Sequence, residues 1–91
     1  MIGDVESILE AIGNTPLVRL RRCGPANGAE LWLKLEYLDP TGSMNDRMAL
    51  AMIEGAERDG LIAPSDTAVE YTGDSTGPAL ALVCRARGIA R

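Results

Sequence analysis

The sequence predicts an α/β fold: the start of an open, parallel-type sheet with flanking helices, left incomplete. Three observations carry this. Leu31, Leu33 and Leu35 alternate with Trp32, Lys34 and Glu36, the period of a strand with one buried face. Ser43 to Asp59 and Gly77 to Arg87 have helical length and pattern, and the short β-rich run Thr67 to Tyr71 stands between them. The order helix, strand, strand, helix, strand, helix opens an alternating pattern whose parallel sheet needs further crossover units to close its core.

Taken in order, Val5 to Ala11 carries apolar residues at 5, 8, 9 and 12, the spacing of a short amphipathic helix, and Gly13 stops it. Pro16 forces extended chain. Leu17 to Leu20 reads as a strand, Arg21 to Ala29 as a Gly/Pro/Asn loop, and Leu31 to Glu36 as the half-buried strand. Asp39-Pro40-Thr41-Gly42 is a turn, after which Ser43 caps a helix with Asp46 in the capping-box position. That helix is expected to run to Asp59 and to bury Met44, Met48, Met52 and Ala56, with Gly60 in the left-handed position and Leu61 and Ile62 folding back. In the last helix Pro78 is tolerated because the first turn has no use for its missing N–H. Leu80 to Cys84 is nearly all apolar, so this helix expects cover on more than one side, and nothing later in the chain is expected to supply it.

The chain has 91 residues, enough for one small domain that buries only about 60 to 65 % of its unfolded surface. Its 46 % hydrophobic and 24 % charged composition is that of a soluble globular protein. The apolar runs Met48 to Ile53 and Pro78 to Cys84 are far shorter than the roughly 18 residues a bilayer requires, and Met1 is followed by Ile-Gly-Asp rather than a basic segment. A cytoplasmic setting is therefore expected. A net charge of −4 with interspersed signs gives no basic stripe for phosphates, and Trp32, Tyr37 and Tyr71 are too scattered to stack bases, which argues against nucleic acid. With no histidine and no Cys-x-x-Cys, zinc has no ligand set, and Cys23 and Cys84 read as reduced, the first exposed and the second buried.

Thr41-Gly42-Ser43-Met44-Asn45-Asp46-Arg47 resembles the Ser-x-Lys-Asp-Arg segment of cysteine synthase and its relatives, the fold type II (β-family) pyridoxal-phosphate enzymes. Further matches follow in order. Ile12 to Val18 is similar to the family's opening segment, Leu33-Lys34-Leu35-Glu36 to the next strand, and Met48 to Gly60 to the first long helix. Glu70 to Gly77 is similar to the loop that holds the substrate carboxylate and touches the cofactor ring. The resemblance implies the N-terminal third of such an enzyme, with residues 1–40 as opening helix and strands and 41–91 as the first α/β units of the cofactor domain. It further implies pyridoxal phosphate as cofactor and a small amino acid as substrate.

By the same resemblance, Asn45 and Ser75 fall at cofactor-binding positions, and Thr72, Gly73, Asp74, Ser75 and Thr76 at the substrate-binding loop. Position 45 is where the family has the lysine that forms an imine with the cofactor and later moves the α-proton. Both tasks need an amine lone pair, and the amide nitrogen of Asn45 has its own delocalised into the carbonyl. Lys34, the single lysine, sits on the earlier strand and is a poor substitute. Covalent cofactor binding is therefore not expected, and no catalytic residue is intact. Asn45 also reads simply as a first-turn helix residue bonding to nearby backbone.

The Thr72 to Gly77 loop likewise reads either as a carboxylate cradle or as an ordinary helix cap. Asp74 stands where the family usually has Gly. Two like charges about 4 Å apart repel by roughly 4 kcal/mol at an effective dielectric of about 20, which opposes a bound carboxylate. Asp46 and Arg47 match the family's Asp-Arg but also read as a charged first turn, and Met44, Met48 and Met52 as core filler. Two functions remain in competition: an inactive N-terminal portion of a cysteine-synthase-like β-replacement enzyme, and a non-catalytic interaction module that self-associates or pairs with a full-length paralogue. A third, weaker reading is a small amino-acid binder using Thr72 to Thr76.

Overall fold

The computed structural model describes residues 3–89. The predicted helix from Val5 contracts to a single 3₁₀ turn, Ile8–Ala11. Both its ends are stopped. Ser7 Oγ accepts from the Leu9 N–H at 3.2 Å, while the Glu10 carboxylate reaches back to the N–H groups of Glu6 and Ser7 at 3.0 and 3.1 Å. Gly13, at φ 83°, then turns the chain, leaving room for one turn only.

Strands β1, Leu17–Leu20, and β2, Leu31–Lys34, pair antiparallel, with Leu17 opposite Lys34 and Leu20 opposite Leu31. β2 ends before Glu36: the Leu35 N–H goes to Pro16 O at 3.0 Å and the chain enters a 3₁₀ turn at Glu36–Leu38. Val18, Leu20, Leu31 and Leu33 share one face of this ribbon, and Leu17, Arg19, Trp32 and Lys34 the other. The expected burial of the β2 leucines does not occur: among the described residues no layer covers either face, and Leu31 and Leu33 stay exposed.

Helices α1, Asn45–Arg58, and α2, Thr76–Ala86, lie side by side and parallel. Asn45 meets Ser75 at one end of the pair, and Glu57 meets Arg87 at the other, a constant offset along both helices. Between these ties sits the core: Ala49, Ile53, Ala79, Val83, Cys84 and Ile89, with Leu9, Ile12, Leu50, Ile62, Ala68 and Leu80 packed against it. Fully buried Ala49 and Ala79 leave the two helices free to approach closely.

That geometry overturns the expected methionine face. Met44, Met48 and Met52 are exposed, and the buried stripe is Asp46, Ala49 and Ile53, rotated by about one residue. Periodicity located a helix correctly but left two adjacent i, i+4 rows to choose between. Small side chains won because they admit the neighbouring helix.

Both helices end in the same C-terminal motif. Gly60 (φ 73°) follows α1, with the Leu61 N–H on Ala56 O at 2.8 Å; Gly88 (φ 75°) follows α2, with the Ile89 N–H on Cys84 O at 2.7 Å. Ile62 folds back as expected, whereas Leu61 stays exposed. Ile89 is buried against the core, so the expectation that nothing after Cys84 covers α2 is corrected.

Two parallel helices require the chain to return between them in an extended run. The predicted strand Thr67 to Tyr71 falls in that return, but it forms no strand: Thr67 makes an isolated bridge, and Val69 and Tyr71 are 90 % and 99 % exposed. β-propensity needs a ladder partner, and the β1–β2 ribbon lies elsewhere. The α/β class stands, with an antiparallel ribbon as the sheet among the described residues. A radius of gyration of 16.4 Å exceeds the about 12 Å of a compact chain this long, in line with the uncovered ribbon.

Candidate functional site

The N-terminal ends of α1 and α2 face a cleft of about 530 Å³, lined by Asn45, Met48, Met52, Leu80 and the loop from Glu70 to Thr76. Thr72, Gly73, Asp74, Ser75 and Thr76 are thus brought together with Asn45, as their motif resemblance groups them. Of the exposed methionines, Met48 and Met52 line it. A second, more apolar hollow of about 500 Å³ shares Met52, Glu70, Thr72 and Leu80 with it.

Asn45 Nδ2 donates to Ser75 Oγ at 2.6 Å, and the Asn45 N–H donates to Ser43 Oγ at 3.0 Å. The helix N-cap is Met44, so the expected Ser43–Asp46 capping box is not formed. Asp46 turns instead to Thr41, accepting from its N–H at 2.7 Å and from its hydroxyl, and is fully buried. A residue that reads as surface charge is therefore a buried brace of the turn preceding α1.

Across the cleft, Thr72 Oγ1 accepts from the Gly77 N–H at 3.1 Å, which commits that hydroxyl to the start of α2. A Cβ on Gly77 would stand 2.8 Å from Thr72 Cγ2, so a larger residue there requires the Thr72 side chain to shift. Asp74 is exposed. Lys34 is not among the lining residues; its Nζ lies 3.9 Å from Glu36 Oε1 and its side chain is 60 % exposed.

Behind α1 lies a polar cluster that no sequence motif announces. Arg47 donates through Nε to Glu36 Oε2 at 2.7 Å, and through Nη2 to Glu36 Oε1 at 3.1 Å and Thr15 Oγ1 at 3.0 Å. Thr15 in turn donates to Glu36, and the Gly13 N–H donates to Asp39 Oδ1 at 2.7 Å. The Arg47 hydrogen bonds, then that of Thr15, hold the Glu36 carboxyl down at about 2. The same bond with Glu36 raises the Arg47 guanidinium. Burial pushes Asp39 up, and its Oδ2 is buried without a partner. The cluster joins segments that are 11 to 32 residues apart in sequence, beyond the reach of any local pattern. Arg47 is therefore more than first-turn charge.

Cys23 is exposed and Cys84 buried, as expected, and they are not joined. No described helix is long and apolar enough to cross a membrane.

Residues 8–91 match the family described as pyridoxal-phosphate dependent enzyme. The chain belongs to that family. Cysteine synthase of Staphylococcus aureus is 54 % identical over 84 residues, covering 92 % of this chain and 27 % of the relative. Cysteine synthase B of Escherichia coli is 50 % identical over 84 residues, covering 92 % of this chain and 28 % of its own length. Among solved structures, O-ureido-L-serine synthase superposes with a TM-score of 0.85 at 45 % identity, over 96 % of this chain and 27 % of the other. The O-acetylserine dependent cystathionine beta-synthase from Helicobacter pylori gives 0.86 at 32 % identity, over 97 % and 29 %. The chain therefore spans little more than a quarter of the length of the relatives it matches, and its α/β class is that of pyridoxal-phosphate dependent enzymes of fold type II.

The family's cofactor is an aldehyde, and the residues lining the cleft include no lysine to add to it. The Asn45 amide, which lines the cleft, is engaged with Ser75. The donor set present does not fit a covalently attached pyridoxal phosphate.

Proposed function

We propose that this chain is the N-terminal portion of a cysteine-synthase-like pyridoxal-phosphate enzyme of sulfur amino-acid metabolism, acting in the cytoplasm, and that it is itself inactive. Full-length enzymes of this kind replace a β-substituent of an amino acid such as O-acetylserine with a sulfur nucleophile. The observation that carries the reading is the 54 % identity over 92 % of the chain combined with an amide at Asn45, in the cleft, where the family's lysine is expected. Thr72 to Thr76 correspond in this reading to the substrate-carboxylate loop, and Asn45 and Ser75 to positions beside the cofactor. Incubation of the chain with pyridoxal phosphate, O-acetylserine and sulfide is expected to yield no cysteine. Turnover above the rate with cofactor alone overturns the reading.

The uncovered apolar surface supports a second reading, a non-catalytic module that pairs with itself or with a full-length paralogue. Val18, Leu31, Leu33, Val69 and Tyr71 are all exposed. Self-pairing predicts an oligomer whose population rises with concentration in sedimentation; a folded, monodisperse monomer excludes self-pairing.

A further inference from the structure

Asn45 and Ser75 are 30 residues apart, yet each opens or caps one of the two core helices, and their side chains meet at 2.6 Å. Neither contributes to the local capping of its own helix through a side-chain bond. Their bond is therefore available to do something else. At the opposite end, Arg87 spans to Glu57 at 2.8 Å and Glu54 at 3.4 Å, but those groups are partly open to solvent, where charge pairs contribute little. The Asn45–Ser75 pair is half-buried and lies at the end where the core has no other polar tie between α1 and α2 among the hydrogen bonds described.

We propose that Asn45 is a positioning residue: its amide clasps Ser75, sets the parallel register of α1 and α2, and holds the 72–76 loop over the cleft. This deepens the reading that position 45 has no covalent role here, since an amide that donates to Ser75 takes over a structural task at the same place. The donor matters for a geometric reason. The Nδ2 hydrogen enters Ser75 Oγ, so a side chain of similar size without a donor leaves that hydroxyl unmatched in the half-buried clasp. Breaking the clasp frees the N-terminal ends of the helices while the buried core that includes Ile53 and Val83 still holds their middles.

The test is a double-mutant cycle on the 91-residue chain. Asn45→Ala and Ser75→Ala each lower the folding equilibrium constant, and the double variant loses no more than the worse single, a coupling of roughly 2- to 12-fold for one hydrogen bond. Ser75→Thr retains the hydroxyl and retains stability, while Ser75→Val, of the same shape as Thr, loses it. Additive losses, or Thr and Val variants that behave alike, overturn the proposal. A readout independent of unfolding is the pair of Asn45 side-chain amide protons by NMR. They move in Ser75→Val and stay in Ser75→Thr if the clasp exists. A spectrum without contacts between α1 and α2 also overturns it. Turnover of the unaltered chain with pyridoxal phosphate, O-acetylserine and sulfide separates the two ideas: cysteine formation removes the proposed inactivity and leaves the measured Asn45–Ser75 coupling as it was.

Discussion

Arg47 and Glu36 meet as a two-pronged pair, Nε on Oε2 at 2.7 Å and Nη2 on Oε1 at 3.1 Å, and the same Nη2 also reaches Thr15. The planar guanidinium is what permits three bonds in fixed directions. The pair fastens the segment before β1 and the turn after β2 to the first turn of α1.

Replacing Arg47 by Lys keeps the charge but offers a single ammonium in place of a fork. The Arg47→Lys chain is expected to melt several degrees lower than the parent, and Arg47→Ala lower still. Thermal unfolding followed by circular dichroism checks this, and equal midpoints for Lys and Arg contradict it.

Stability is expected to depend on pH through Glu36 and Asp39 in opposite senses. Glu36 falls from 4.5 to about 2 on folding, so its contribution is complete above 4.5 and is lost as pH drops toward 2. Asp39 rises from 3.8 because it is buried, so its contribution is complete below 3.8 and is lost as pH climbs through the raised value. Melting temperatures across pH 2 to 8 (about the span over which carboxylates titrate) should show Glu36→Gln flattening the acid limb. Asp39→Asn should flatten the opposing decline, with its amide oxygen still accepting from Gly13.

Side-chain size between the helices sets a third expectation. Ala79→Leu pushes α2 off α1 and costs about 1–3 kcal/mol, the usual range for overpacking. Met48→Ala, on the exposed row, stays within about 0.5 kcal/mol. Urea denaturation of the two variants distinguishes the observed face from the methionine face, which predicts the reverse order.

Gly88 holds φ 75° at the end of α2 and lets Ile89 return to the core. Gly88→Ala forces an L residue into the left-handed region at a cost of roughly 1–2 kcal/mol. Gly60→Ala, at φ 73°, is expected to lose a similar amount in the same denaturation experiment.

The local elements were largely legible in the sequence, because their signals are local. Gly60 marked the end of α1, Pro78 its place in the first turn of α2, and the 17–20 and 31–36 runs their strands, the second of which ends at Lys34. The residues around the cleft were legible through motif resemblance. Asn45 and the 72–76 loop do line one cleft. What was not legible has a common cause. The Arg47–Glu36–Thr15 cluster, the Asp46–Thr41 brace and the choice of Ala49 and Ile53 over the methionines depend on which segments lie side by side, and a one-dimensional pattern carries no such distances.

By itself, then, the sequence determined the order of the two paired strands and the two long helices, the family resemblance and the absence of an amine at position 45, since each follows from residue identity and short-range spacing. Only the tertiary structure decided that α1 and α2 run parallel with Asn45 on Ser75, and that Thr67 to Tyr71 stays without a ladder. Which face of a helix is buried follows from side-chain volume at the contact, and a strand exists only where a neighbour accepts its hydrogen bonds.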